Sequence, residues 1–317
     1  MEDNIKRIII VDSSAILHRY YHGYSKLQSI YKGEKIDVGA LNGYVSYIYR
    51  LKQEFRHDHV IHVLDPDGGS AFRQALLPTY KAHRPDKEES FTIQKNLLTT
   101  VLDGFQQPWI KVDGVESDDI ISSYAEQYGK NCYVMIAGQD KDLFQCIFDE
   151  HPEGPGLVMM ASLVKDKQGH NIHELRNEQY VKDKLGVHPY QVADFLALKG
   201  DGSDSIKGIP GIGDKKAADL LNTYHDIETI MMNANEIKGR VGDSIRAGLA
   251  DMPLMKKLTR TLTGLDLPPI EDIPSVQNAQ LTTFVRDLVH AEPYWANNLD
   301  EFVQPAPNFS RRPNYSV

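Results

Sequence analysis

Cys132-Tyr133-Val134-Met135-Ile136-Ala137-Gly138-Gln139-Asp140-Lys141-Asp142 is a short apolar run that stops at a glycine and then presents two carboxylates. Six residues of this kind, closed by turn formers, predict a buried β-strand with acids just past its carboxyl end. The pattern occurs twice more. Ile5 to Val11 is apolar and rich in β-branched residues, and it ends at Asp12, after which Ser13 and Ser14 offer N-caps to a helix. His59 to Leu64 ends at Asp65 and the turn Pro66-Asp67-Gly68-Gly69. Trp109 to Val112 reads as a fourth, shorter strand. Helical stretches such as Leu41 to Arg56 and Ser117 to Tyr128 lie between these runs. The alternation predicts an α/β fold with a central, mainly parallel sheet flanked by helices. In such a sheet the carboxyl ends of the strands share one edge, where ligands bind, so Asp12, Asp65 and Asp140 are expected to meet.

Beyond about residue 175 the strand signal fades. Pro189 to Leu198 reads as a helix with proline in its first turn, and Asp214 to Asn222 as a helix after a glycine-rich hairpin. The chain therefore divides into an α/β core over 1–175, a helical region over 176–265 and an extension over 266–317. Residues 303–317 carry three prolines, two arginines and little apolar content, which predicts a loose tail.

Two further acidic clusters join the strand ends. Gly114-Val115-Glu116-Ser117-Asp118-Asp119 opens a helix with more carboxylates than a cap requires, and Gly200-Asp201-Gly202-Ser203-Asp204 spaces two acids three apart. Nine candidates result: Asp12, Asp65, Glu116, Asp118, Asp119, Asp140, Asp142, Asp201 and Asp204. Packed together they would repel and raise one another's pKa values. Hard divalent cations would compensate, and an all-oxygen set without a His/Cys cluster points to Mg²⁺ or Mn²⁺ rather than zinc. Two such ions about 3.5–4 Å apart can activate water and stabilise the leaving oxygen of a phosphodiester. The formal net charge is −9, and without these nine acids the basic and acidic residues balance at 35 each. The acidity therefore does not exclude a nucleic-acid substrate.

Basic residues sit close to the same edge. Phe72-Arg73 and Pro78-Thr79-Tyr80-Lys81-Ala82-His83-Arg84-Pro85 follow Asp65, and Arg73, Lys81 and Arg84 suit a phosphate clamp with Tyr80 for stacking. Gly208-Ile209-Pro210-Gly211-Ile212-Gly213-Asp214-Lys215-Lys216-Ala217 follows Asp204. Gly211 and Gly213 would let the backbone approach a phosphate, and Lys215 and Lys216 add positive charge, a grip that reads no sequence.

Other classes are set aside. The mean hydropathy of −0.42 and the lack of an apolar run of about eighteen residues exclude a transmembrane helix. The acidic start leads into apolar sequence with no small-residue cleavage site, so a secretory signal is not expected. Two cysteines, Cys132 and Cys146, make no disulfide framework or zinc spacing and suit a reducing cytoplasm.

Taken in order, these motifs resemble the phage and bacterial 5′-nuclease family, comprising flap endonucleases and the 5′-to-3′ exonuclease domain of bacterial DNA polymerase I. The resemblance spans residues 5–225. It implies a PIN-like 5′-nuclease fold, with a helical arch over about 85–107 and a helix–three-turn–helix over about 189–222. It implies a first metal cluster from Asp12, Asp65, Glu116, Asp118 and Asp140, and a second from Asp142, Asp201 and Asp204 with Asp119 nearby. Lys81 and Arg84 match the family's basic pair that steadies the scissile phosphate, so the catalytic set is Lys81, Arg84, Asp12, Asp65, Asp118 and Asp140. Tyr80 matches an aromatic that stacks near the cleavage point. The hairpin implies a grip on duplex DNA and a K⁺ ion at its carbonyls. Implied substrates are DNA with a 5′ flap, overhang or nick, and RNA in RNA·DNA hybrids. Implied partners are a replication polymerase or a single-strand-binding protein, with no membrane. Two features depart from the family pattern: Asp67 stands where relatives often carry lysine, and the expected arch opens on Asp86-Lys87-Glu88-Glu89. The rival readings are a PIN-type ribonuclease, against which the hairpin argues, and a non-catalytic DNA-structure-binding protein, against which the retained acids argue.

Overall fold

The computed structural model describes residues 5–23, 27–85, 88–273 and Val285. The tail expected from residue 303, and Asp86 and Lys87 at the start of the expected arch, lie outside the described residues.

The first strand, β1 (Arg7–Asp12), runs into helix α1 (Ser13–Gly23). A small antiparallel hairpin follows, β2 (Gln28–Tyr31) and β3 (Glu34–Asp37), and then α2 (Gly39–Glu54) and β4 (His59–Val63). Next come α3 (Ala71–Leu76), α4 (Glu89–Gly104), β5 (Trp109–Ile110), α5 (Ser117–Gly129) and β6 (Tyr133–Ala137). Strands β7 (Leu157–Lys165) and β8 (Asn171–Arg176) complete the sheet. The sheet order is β5-β4-β1-β6-β7-β8, parallel throughout except for the antiparallel edge strand β8. The remaining elements are helical: α6 (Glu178–Leu185), α7 (Val192–Lys199), α8 (Asp214–Tyr224), α9 (Ile227–Met232), α10 (Gly239–Gly248) and α11 (Met252–Thr259).

Both faces of the sheet are buried, which explains why its strands read as unbroken apolar runs. Successive side chains of β1 point to opposite faces. Ile8 and Ile10 pack with Ile120, Ile121 and Tyr124 of α5 and with the C-terminal helices. Ile9 and Val11 pack with α1, α2 and α4. In the register, Asp12 lies opposite Val63 and Val11 opposite Ala137, so three strand ends share one edge. The chain leaves β1 towards β4 on one side and β6 on the other, a topological switch point that opens a crevice at that edge.

The arch expected over 85–107 needs correction. Most of that segment is α4, a regular helix docked on the sheet. Phe91, Leu98, Val101 and Leu102 recur at helical spacing and are buried, and each contributes about 1.5–3 kcal/mol by leaving water. Buried Gln94 accepts a hydrogen bond from the Ala40 backbone N–H at 2.9 Å, tying α4 to α2. A free-standing arch could not bury this apolar face. Among the described residues no helix is long and apolar enough to cross a membrane.

Candidate active site

Asp12 closes β1, and its Oδ1 accepts the Ala15 amide at 3.1 Å, so it also caps the start of α1. Asp65 lies two residues past β4. Its Oδ1 accepts from Ser117 N at 3.0 Å and Ser117 Oγ at 2.8 Å, and its own amide is held by Ser14 Oγ at 2.9 Å. A carboxylate from one strand end thus caps α5, whose first turn carries Asp118. Asp140 caps a 3-10 turn over Lys141–Cys146 by accepting the Asp142 amide at 3.0 Å.

These groups are close enough to perturb one another. Burial, with Asp65 and Asp140 nearby, pushes the Asp12 carboxyl up to about 8. Burial and the charges of Asp140, Asp12, Asp142 and Asp65 hold Asp118 well above the usual carboxylate range. Burial and Asp140 push Asp142 up to about 7, against the pull of Lys141. Among the described residues no lysine or arginine pairs with Asp12, Asp65, Asp118 or Asp140. No three His, Cys, Asp or Glu side chains among those residues already close on a point as a finished ligand shell. The sheet edge therefore holds like charges without a protein counter-ion.

The other acids have counter-ions. Asp201 Oδ1 accepts from Ser203 N at 2.9 Å and Oγ at 2.6 Å, and its Oδ2 accepts from Lys141 Nζ at 2.6 Å. Burial alone would raise the Asp201 pKa, but these bonds bring it below the ordinary value. Asp204 Oδ1 accepts from Arg84 at 2.7 Å, and its Oδ2 accepts from the Tyr80 hydroxyl at 2.9 Å. Glu116 Oε1 accepts from Lys81 Nζ at 2.5 Å, and its Oε2 accepts from Arg73 at 2.9 Å and Tyr80 at 3.1 Å. Burial opposes the charge on Lys81, but Glu116 and Asp204 raise its pKa and keep it an ammonium ion. Lys81 itself has a left-handed backbone conformation (φ +55°), held by the hydrogen bond that its N–H donates to the Asp204 carbonyl at 3.3 Å.

Three expected roles change on this geometry. Arg73 is 3 % exposed and cannot clamp a phosphate. It forks onto Asp119 at 2.7 and 2.8 Å, bonds Glu116, and donates to the carbonyls of Leu258 and Arg260 at 3.0 Å each. Asp119 is fully buried, and its oxygens are taken by Arg73 and by the Leu262 amide at 2.8 Å, so it serves as Arg73's partner rather than as a metal ligand. Tyr80 is 4 % exposed, so its ring cannot stack on a base; its hydroxyl instead bridges Glu116 and Asp204. Lys141, which the sequence does not mark as a site residue, pairs with Asp201 at 2.6 Å. Its signal is the alternation Asp140-Lys141-Asp142, a cation placed among acids.

The glycine hairpin stands beside this edge. Gly208 (φ +63°) packs against Gly200 so closely that a Cβ would lie 2.2 Å from the Gly200 nitrogen. Ile209 and Ile212 anchor the hairpin in the core. Gly213 is the N-cap of α8, Asp214 pairs with Lys199, and Lys216 donates to the Gly211 carbonyl at 2.8 Å. Gly211, Gly213, Lys215 and Lys216 are all exposed.

A cleft of about 810 Å³ opens from Asp65 and Glu116 past Lys81 and Arg84 to Lys95 and Asn96 on α4. Of the candidate acids, Asp65 and Glu116 line it.

Residues 7–186 match the 5′-3′ exonuclease N-terminal, resolvase-like domain, and residues 187–280 match the 5′-3′ exonuclease C-terminal SAM fold. A DNA polymerase I of Caldicellulosiruptor bescii is 31% identical over 265 residues, covering 83% of this chain and 29% of the polymerase. The chain thus spans under a third of the length of that relative. A 5′-3′ exonuclease of Streptomyces coelicolor is 29% identical over 276 residues, covering 82% of this chain and 87% of the relative. The crystal structure of the phage T5 D15 protein with metal ions superposes with a TM-score of 0.64 at 18% identity, over 94% of this chain and 100% of that one. The T5 D15 flap endonuclease in complex with DNA and metal ions superposes at 0.60 and 19% identity, over 94% and 97%. These likenesses establish the fold, and the two family matches, adjoining at residues 186 and 187, establish more: the chain belongs to the 5′-3′ exonuclease family.

Proposed function

We propose that the chain hydrolyses phosphodiester bonds at 5′ ends and at the base of 5′ flaps of DNA, and RNA in RNA·DNA hybrids, with two divalent cations. The observation that carries this reading is the set of uncompensated carboxylates, Asp12, Asp65, Asp118 and Asp140, at the switch point of the sheet. Their all-oxygen donor set fits Mg²⁺, with Mn²⁺ able to substitute. Asp142, Asp201 and Asp204 would hold a second ion, and Asp142 Oδ1, buried with no hydrogen-bond partner, fits that use. Such ions, when bound, lower the pKa of a water molecule and offset charge that builds on a phosphodiester.

The chain's own residues do the rest. Lys81 and Arg84 sit where they can turn from Glu116 and Asp204 towards a phosphate entering the cleft, fixing its orientation and stabilising its developing charge. Lys215 and Lys216, with the amides at the start of α8, grip duplex backbone beyond the cut, and a K⁺ ion at the hairpin carbonyls belongs to the same proposal. A role in primer or flap removal, in the cytoplasm and alongside a polymerase or single-strand-binding protein, follows from this chemistry; the two unpaired cysteines agree with a reducing compartment. The T5 relative in complex with DNA and metal ions supports the substrate class.

The test is gel cleavage of a 5′-flap duplex labelled at either end, with Mg²⁺ and with EDTA. Mg²⁺-dependent cuts at or near the junction, or from the 5′ end, are expected. Binding without cleavage would favour a non-catalytic DNA-binding role.

A further inference from the structure

The acids at this edge fall into two electrostatic halves. Asp12, Asp65, Asp118 and Asp140 have no ammonium or guanidinium group within 4 Å among the described residues, although the charge of Lys141 reaches Asp140. Glu116, Asp201 and Asp204 are each within 2.5–2.9 Å of one. Lys141 stands at the boundary. Its Nζ is 2.6 Å from Asp201 Oδ2 and 3.4 Å from Asp142 Oδ1, and that Asp142 oxygen has no hydrogen-bond partner. The two acids come from distant motifs, one on the 3-10 turn after β6 and one after α7. A single ammonium therefore spans the gap between them. Its side chain is 38 % exposed, so it has a way out to solvent.

We infer that Lys141 is a resident cation at the second divalent-ion position: it holds Asp142 and Asp201 together in the metal-free protein and must swing away when an ion enters there. The inference rests on the two-ion reading above and adds an order of events. The sheet-edge position, with no internal cation to displace, fills first. The Asp142–Asp201 position binds an ion only against the competing ammonium, so it fills last and most weakly. Lys141, once displaced, carries its charge out towards solvent, since its side chain is already 38 % exposed. Lys141 is thus a positioning residue that sets how readily the second position takes an ion.

The test is Mn²⁺ binding to the whole protein, followed by calorimetry and by the paramagnetic signal of free Mn²⁺, for wild type, Lys141→Met, Lys141→Gln and Lys141→Arg. Two classes of Mn²⁺ site are expected in wild type. Lys141→Met and Lys141→Gln should tighten the weaker class by roughly tenfold or more, since a unit charge a few ångströms away is removed, and should change the tighter class much less. Lys141→Arg should restore wild-type binding, which a purely structural role would not require. Unchanged or weakened binding of the weaker class in both neutral variants would overturn the inference, as would one class of site in all four proteins. Those results leave the metal-dependent reading standing. The absence of any Mn²⁺ binding would instead remove that reading, and this inference with it. Should Lys141→Met fail to fold, the polar, uncharged Lys141→Gln carries the comparison alone.

Discussion

The Tyr80 hydroxyl lies 2.9 Å from Asp204 Oδ2 and 3.1 Å from Glu116 Oε2, joining a carboxylate of the sheet domain to one that follows α7. One oxygen thus links acids 88 positions apart in the chain, and buries both with the phenol ring. Tyr80→Phe keeps the ring and removes the link. It should cost about 1–3 kcal/mol, the usual penalty for leaving buried acceptors short of a donor, and slow cleavage. Affinity for duplex DNA should hold. Urea denaturation and a binding titration check this; intact stability with strongly weakened DNA binding would place the ring on the substrate instead.

Arg73 is the buried hub of Glu116, Asp119 and the carbonyls of Leu258 and Arg260. Arg73→Ala should destabilise the protein by about 3–5 kcal/mol, because it strands a buried carboxylate. Its effect on the salt dependence of DNA binding should be nil. Denaturant midpoints and binding at several salt concentrations separate the two, and a flattened salt slope would return Arg73 to the phosphate clamp.

The pH dependence of the metal-free protein has a definite sign. Asp12 titrates at about 8 in the fold, against about 3.9 in an unfolded chain. A proton is therefore bound more tightly by the folded form. Stability from this group is full below about pH 4 and is lost as pH rises to about 8, on the order of a few kcal/mol. Denaturation in EDTA should show lower stability at pH 8 than at pH 5.5, and Mg²⁺ should restore most of the difference at the higher pH. Equal stability at both pH values in EDTA would mean that Asp12 is not strained by its neighbours.

Lys215 and Lys216 are exposed at the start of α8, beside the glycine hairpin. Replacing both with alanine should weaken duplex binding and reduce the slope of log affinity against log salt by roughly one to two. Thermal stability should change little, since surface substitutions of this kind are usually within about 0.5 kcal/mol. An unaltered salt slope would show that the hairpin does not meet the backbone.

Much of the sheet was legible because its inner strands are covered on both faces. β1, β4 and β6 each form an apolar run closed by a turn, and the acids after them meet as topology requires. The strands at one edge were not singled out. β8 alternates weakly and is mostly polar, and β2 and β3 form a short exposed hairpin with little apolar signal. In the segment where an arch is expected, Phe91, Leu98, Val101 and Leu102 fall at the spacing of a docked helix, behind a charged opening that hides the pattern. At the site, residue types were readable but partners were not. Nothing local tells that Arg73 will spend its charge on Asp119, 46 positions away, or that Tyr80 will turn inwards.

The docking of α4 has a topological consequence. Arg84 is anchored on Ser203 and Asp204, and Glu88 accepts from the Tyr21 hydroxyl at 2.6 Å. Three residues lie between them, so the connection can reach at most about 14 Å. With both contacts made, a link of that length leaves little room for a polynucleotide to pass beneath it end first. On the proposed function, a flap is then expected to enter the cleft from the side rather than end first. A streptavidin block on the 5′ terminus should therefore leave cleavage at the junction nearly as fast as on an unblocked flap, and a branched strand with no free end at all should still be cut.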